Sequence, residues 1–137
     1  MSLIPPLLIT NNQKAVAAAD GKLTCRFLAE GTYMDVLYAV RDQIHLGHQL
    51  LTHPMAGSVK PNQTPFRSIV LDGAVSPAAE CWESVELIEN SIAAAQKFFT
   101  CRATPHWPEK IRNDFATIDL SFIQNFLDHA RKCQPGA

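Results

Sequence analysis

One helix frames the rest of the chain. Tyr33, Val36, Leu37, Val40 and Ile44 recur at the spacing of a single helical face, which makes an amphipathic helix with a buried stripe. Thr32 stands where an N-cap belongs, and Asp35, three residues on, adds a favourable charge in the first turn. Gly47 supplies the stop. On either side lie apolar runs too short to be helices. Leu23 to Ala29 precedes it and His48 to His53 follows it, and both read as strands. "LLIT", Leu7 to Thr10, is a further strand between Pro5-Pro6 and Asn11-Asn12, and "QKAVAAA" after it makes a turn or two of helix ending near Asp20-Gly21. "RSIVL", Arg67 to Leu71, is the fourth strand.

The C-terminal half reads as helical. Ser76 and Pro77 suit the cap and first position of a long helix whose stripe is Val85, Ile88, Ile92, Ala95 and Phe99. "CRATPHWP" breaks it, a short helix follows Pro108, and a last helix starts near Asp119 with Ile123, Phe126 and Ala130 inward. The trailing "QPGA" is expected to fray.

Strands alternating with helices predict an α/β fold. The expected architecture is a three-layer sandwich around a small, mainly parallel four-stranded sheet, Rossmann-like or flavodoxin-like, with extra C-terminal helices from about residue 105. The first strand should lie between the second and third. The 54–66 connection suffices for an antiparallel return and barely for a parallel crossover, which needs a helix, so the direction of the fourth strand stays open. The 137 residues form one domain, 1–137, with 47% apolar residues. A chain of this size buries roughly two-thirds of the surface its unfolded form exposes.

Composition also removes whole classes of function. No apolar run approaches the ~20 residues of a membrane helix. "MSLIPPLLITNN" has neither a basic region nor a small-residue cleavage site, so no signal peptide is expected and the expected compartment is the cytoplasm. The net charge of −1, with mixed signs, offers no basic field for nucleic acid. Cys25, Cys81, Cys101 and Cys133 form no CxxC, so neither a redox pair nor a zinc knuckle is signalled.

The candidate site is the loop "THPMAGSVKPNQTPF", residues 52–66, with prolines at 54, 61 and 65. Long loops without secondary structure are uncommon in compact domains and are usually functional or disordered, and three prolines argue against a floppy one. In an open α/β sheet, ligands bind outside the carboxyl ends of the strands where the strand order reverses. Asn11 and Asn12, leaving the first strand, and His53 to Asn62, leaving the third, should meet there. Gly57 lets a ligand approach the backbone, Ser58 and the loop amides donate hydrogen bonds, and Lys60 supplies a positive charge. His53 is the residue type suited to transferring protons, and Asn62 adds a polar group. The expected ligand is a small polar or anionic metabolite. Each residue also has a plainer role: Asn11 and Asn12 in an Asx-turn, His53 at a strand end, Lys60 solvated.

No motif names a cofactor, since "GSVK" is not a Walker sequence. His45, His48 and His53 lie at i, i+3 and i+8, but Gly47 ends the helix among them and Asp42 is the only acidic partner at helical spacing. No metal site is expected. As an enzyme, the chain would use His53 as acid or base and Lys60 as electrostatic stabiliser, but no nucleophile–base pair is visible. As a pure interaction module it would use the aromatic C-terminal third, with Trp82 and Trp107, whose helices either cover a sheet face or pack in a homo-oligomer.

The "TNN" of residues 10–12, "DVL" at 35–37, "VRD-IH-GH-LLTHP--GSVKPN-TP" from 40 to 65, "LIENSI" at 87–92 and "DF--IDL" at 114–120 resemble the GrdX family. These are small proteins encoded beside the glycine, sarcosine and betaine reductase components. The resemblance implies an accessory or regulatory role in amino-acid reductive metabolism, with a reductase-complex protein or a metabolite as partner. It does not imply a catalytic subunit, and it carries over a motif without an assigned active site.

Overall fold

The computed structural model describes residues 4–57 and 59–129. In chain order the elements are strand β1 (Leu7–Thr10), helix α1 (Gln13–Ala19), β2 (Thr24–Phe27), α2 (Tyr33–His45), β3 (His48–Leu50), β4 (Ser68–Val75), one 3₁₀ turn (Ala78–Glu80), α3 (Trp82–Cys101) and α4 (Glu109–His129).

The sheet is mixed and has the order β2-β1-β4-β3. β1 runs parallel to β2, and β4 runs antiparallel to both β1 and β3. The sheet is therefore not mainly parallel in its pairings, because β4 has inserted between β1 and β3. The physical reason lies in the strands. Ser68, Ile69, Val70 and Leu71 are all buried, and so are Leu8, Ile9 and Thr10, which makes both runs suited to the sheet centre. β3 is three half-buried residues and suits an edge. The connection 51–67 carries no helix, so it returns antiparallel.

Alternation along the central strands divides the core in two. Ile9, Ile69 and Leu71 face α2 and α3, packing on Val36, Leu37, Val40, Ile44, Ile88 and Ile92. Leu8 and Val70 face α1 and α4, packing on Ala15, Ala19, Ile123 and Leu127. Helices thus cover both faces, and α4 completes one of those layers.

The α2 reading from sequence holds in detail. Thr32 Oγ1 accepts from Asp35 N at 3.1 Å while Asp35 Oδ2 accepts from Thr32 N at 2.9 Å, a reciprocal capping box. Gly47 follows with φ +112°, and a Cβ there would come within 2.8 Å of the Ser76 carbonyl. β4 runs on to Val75, past the expected Leu71, β2 covers only Thr24–Phe27, and three further boundaries differ from expectation. β3 ends at Leu50, and Leu51 and Thr52 N–H groups crowd onto the single Val70 carbonyl at 2.9 and 3.3 Å. Ser76 does not cap α3. Its N–H bonds Gly47 O at 2.8 Å and its hydroxyl accepts from Gln49 at 2.9 Å, so the β3–β4 pairing claims it and α3 starts only at Trp82. Nor does a new helix begin at Asp119. α4 is continuous from Glu109, directly after Pro108, and no glycine or proline interrupts it. Ala130 and the terminal "QPGA" lie outside the described residues.

Candidate functional site

The carboxyl end of β1 and the amino end of β4 lie side by side, with Thr10 opposite Ser68. A buried polar cluster forms there. Thr10 and Ser68 hydroxyls are 2.7 Å apart, Ser68 Oγ donates to Asp119 Oδ2 at 2.6 Å, and Asn12 N donates to Thr10 Oγ1 at 2.9 Å. Each hydroxyl has one proton, so Thr10 donates to Ser68 and Ser68 to the carboxylate. Asn12 Nδ2 adds bonds to Asp119 Oδ2 at 2.9 Å and to Ala116 O at 2.8 Å. Its Oδ1 accepts from Lys14 N at 3.0 Å and caps α1.

Arg67 joins this cluster to the loop. Its side chain is 3% exposed, and that of Asp119 2%; their nearest approach, Nε to Oδ1, is 4.0 Å. Arg67 Nη1 donates to Ala56 O at 2.8 Å, and its guanidinium lies 5.5 Å from the centre of the Phe122 ring, within cation–π range. Asn11 pins the same strand end. Its Oδ1 accepts from Arg67 N at 2.9 Å, and its Nδ2 donates to Pro65 O at 2.8 Å and Gly31 O at 3.0 Å. The phenol of Tyr33, at the start of α2, is pushed above its ordinary value of 10.0 by burial; the Arg67 charge pulls it back and the Asp119 charge reinforces the rise.

The loop itself divides. His53 is exposed. Its Nδ1 accepts from Met55 N at 3.0 Å and its carbonyl accepts from Ala56 N at 3.1 Å, so the ring holds a turn and carries its proton on Nε2. Gly57 has φ +93°, and a Cβ there would overlap the Phe122 ring, so this position admits only glycine without strain. Ser58 lies outside the described residues. Lys60 and Asn62 turn away into an open cleft of about 390 Å³, lined also by Gln63, Cys101, Arg102, Pro105 and Trp107. There the Lys60 carbonyl accepts from Gln63 N at 3.0 Å, and Asn62 Nδ2 bridges the carbonyls of Phe98 and Arg102 at 3.1 and 3.2 Å. The Trp107 indole donates to Gln63 O at 2.7 Å, tying the α3–α4 connection to the loop. Lys60 and Arg102 form no ion pair among the described residues.

A family model described as GrdX-like protein matches residues 7–128. The chain belongs to the GrdX-like family. Searches of curated proteins and of solved structures give no match. The GrdX-like span contains every residue of the buried cluster and every residue lining the outer cleft. Among the described residues, no helix is long and apolar enough to cross a membrane.

The structure therefore gathers the sequence candidates of this GrdX-like chain into two places. Asn11 and Asn12 sit in the buried cluster, with Gly57 near it through Phe122. Lys60 and Asn62 line the outer cleft, and His53 belongs to neither. Of the three spaced histidines, His48 Nδ1 pairs with Asp72 O at 2.8 Å, while His45 is exposed at the end of α2. Sequence reading missed Arg67, Ser68, Asp119 and Tyr33 in the cluster, and Gln63, Arg102 and Trp107 in the cleft. One signal did exist. Ala116, Asp119, Ile123 and Leu127 form the buried stripe of α4, and a carboxylate on a buried stripe demands a partner.

Proposed function

We propose that this GrdX-like protein is an accessory protein of amino-acid reductase metabolism that binds a small anionic metabolite, a carboxylate or phosphate, in the cleft between the 60–63 turn and the α3–α4 connection. The observation that carries this reading is the pairing of Lys60 and Arg102 on one cleft, neither neutralised by an acidic side chain among the described residues. Two cations beside partly enclosed walls concentrate anions, and a lysine with an arginine supplies both a point charge and a planar donor fork. Trp107 forms an apolar wall, held in place by its bond to Gln63, so the cleft has a fixed side. The loop residues named by the family resemblance, Lys60 and Asn62, support the same placement. The family's association with glycine, sarcosine and betaine reductase components supports the metabolic setting and selects the first ligands to try.

Trp107 also provides the readout. With Trp82→Phe removing the other indole, Trp107 emission should change saturably as orthophosphate, acetyl phosphate or glycine is added, and the change should weaken as salt rises. A Lys60→Ala/Arg102→Ala variant should respond markedly less. Emission that ignores all three ligands, or a response unchanged in the double variant, removes this reading.

A further inference from the structure

The buried cluster has the composition of an anion receptor. Asn12 Nδ2 and Ser68 Oγ both donate to one oxygen of Asp119, at 2.9 and 2.6 Å, and the Arg67 guanidinium faces the other. From α4 come Asp119, the Ala116 carbonyl that accepts from Asn12 Nδ2 at 2.8 Å and the Phe122 ring beside the Arg67 guanidinium. Each receiving group also has a hold outside α4. Ser68 is held by Thr10 at 2.7 Å, and Asn12 through its cap on Lys14 and its own N–H on Thr10. Arg67 is held by Asn11 at its amide and by Ala56 O at its Nη1. Donors preset in this way keep their geometry when the carboxylate leaves.

The tethered carboxylate fits this receptor incompletely. Arg67 Nε and Asp119 Oδ1 are 4.0 Å apart, beyond a hydrogen bond, and neither atom has another partner among the described residues. A carboxylate fixed to a helix that also seats Ile123 and Leu127 in the core cannot close that gap. A free oxyanion can accept from Asn12 and Ser68 while meeting Nε as well. Such a ligand has the differential affinity a population shift requires. The helix is also held unevenly. Residues 109–114 are exposed, Ala116 and Asp119 are the first buried positions, and the apolar anchors Ile123 and Leu127 come later.

We propose that Arg67, Asn12 and Ser68 form an oxyanion site at the strand ends, occupied in cis by Asp119, and that a small carboxylate or phosphate takes this site by displacing the N-terminal half of α4. The helix is then a latch whose position reports anion binding. Neither Lys60 nor Arg102 takes part, so this site stands apart from the outer cleft.

The test is hydrogen exchange of the full chain with increasing orthophosphate or acetate, at ionic strength balanced with chloride. Amides of residues 110–119 should exchange faster, saturably, with one of the two anions, and comparing them tells phosphate from carboxylate. Asp119→Asn removes the competing charge and should bind the same anion tighter by about tenfold or more, the usual size of such a coupling. Ser68→Ala should weaken the response, and the Lys60→Ala/Arg102→Ala variant should keep it, which separates failure here from failure at the cleft. Unchanged or slowed exchange across 110–119 in wild type with both anions overturns the proposal, even if the Asp119 variant does not fold. So does an Asp119→Asn protein that folds and binds no tighter.

Discussion

Arg67 Nε and Asp119 Oδ1 face each other across 4.0 Å with both side chains almost wholly buried. This pair links β4 to α4 across the polar end of an otherwise apolar layer. Around it, Asn12 and Ser68 donate to the second carboxylate oxygen, Thr10 donates to Ser68, and Ala56 and Phe122 hold the guanidinium. The loop, the sheet and the C-terminal helix are therefore joined through one arginine.

Breaking the pair leaves an uncompensated buried charge. Asp119→Ala should cost about 3–5 kcal/mol of unfolding free energy, the usual loss when one member of a buried pair is removed. Replacing both members with apolar residues, Arg67→Met with Asp119→Leu, should recover much of it, because the stranded charge is gone. Urea unfolding of these two variants against wild type measures both values. Arg67→Lys should behave as a loss, since an ammonium cannot hold Ala56 O and face Asp119 with a planar fork.

Gly57→Ala should destabilise by about 1–3 kcal/mol, the cost of holding a non-glycine residue in a sparsely populated backbone region. The added Cβ also meets the Phe122 ring, which lies beside the Arg67 guanidinium. In a Phe122→Ala background the same substitution should cost less, because only the backbone strain remains. Equal costs in the two backgrounds, measured by urea unfolding, would show that the ring is not involved.

Tyr33 predicts a particular alkaline limb. Burial holds its phenol above the ordinary 10.0. In the unfolded chain the proton leaves near that ordinary value, and in the folded protein it leaves at higher pH. Between those two points the native state binds more protons, so stability falls as pH rises. Below the unfolded value both states are protonated and Tyr33 adds no pH dependence. Tyr33→Phe should flatten the decline above about pH 10 and leave the neutral region unsloped by comparison. An identical decline in wild type and variant would contradict the burial account.

The capping box makes a smaller claim. Thr32→Ala removes the acceptor for Asp35 N and should cost about 1 kcal/mol. Thr32→Ser, which keeps the hydroxyl, should cost much less. Thermal unfolding of the two variants ranks them.

Much of this architecture is legible in the sequence because its determinants are local. The α2 stripe, its Thr32 cap and its Gly47 stop each sit within a few residues of the structure they cause. Buried runs such as Leu7–Thr10 and Ser68–Leu71 show as uninterrupted apolar stretches. Strand order is different, because it depends on which strands can be buried on both faces. Nothing local in "RSIVL" says that it inserts beside "LLIT". Asp119 shows how a local cue misleads. An aspartate before an apolar stripe reads as a helix start, but here the helix has already run from Glu109 and the aspartate occupies a buried position in it. Asn12 carried two readings, a turn residue and a ligand group, and the structure gives it one task for each end of its amide: Oδ1 caps α1, while Nδ2 reaches Asp119. Lys60 was legible as an available cation, but its companion Arg102 was not, since the two meet only through the packing of the α3–α4 connection on the loop.

The most direct test of the central claim is a thermal-shift titration of wild type, Lys60→Ala and Arg102→Ala with glycine, sarcosine, betaine, acetyl phosphate and orthophosphate. A ligand at 100 times its dissociation constant adds about 2.7 kcal/mol, which raises the midpoint of a chain this size by roughly 5–10 °C. The account predicts such a rise for at least one of these anions or zwitterions in wild type, reduced in each single variant. No rise with any of them, or a rise that both variants keep in full, would contradict it.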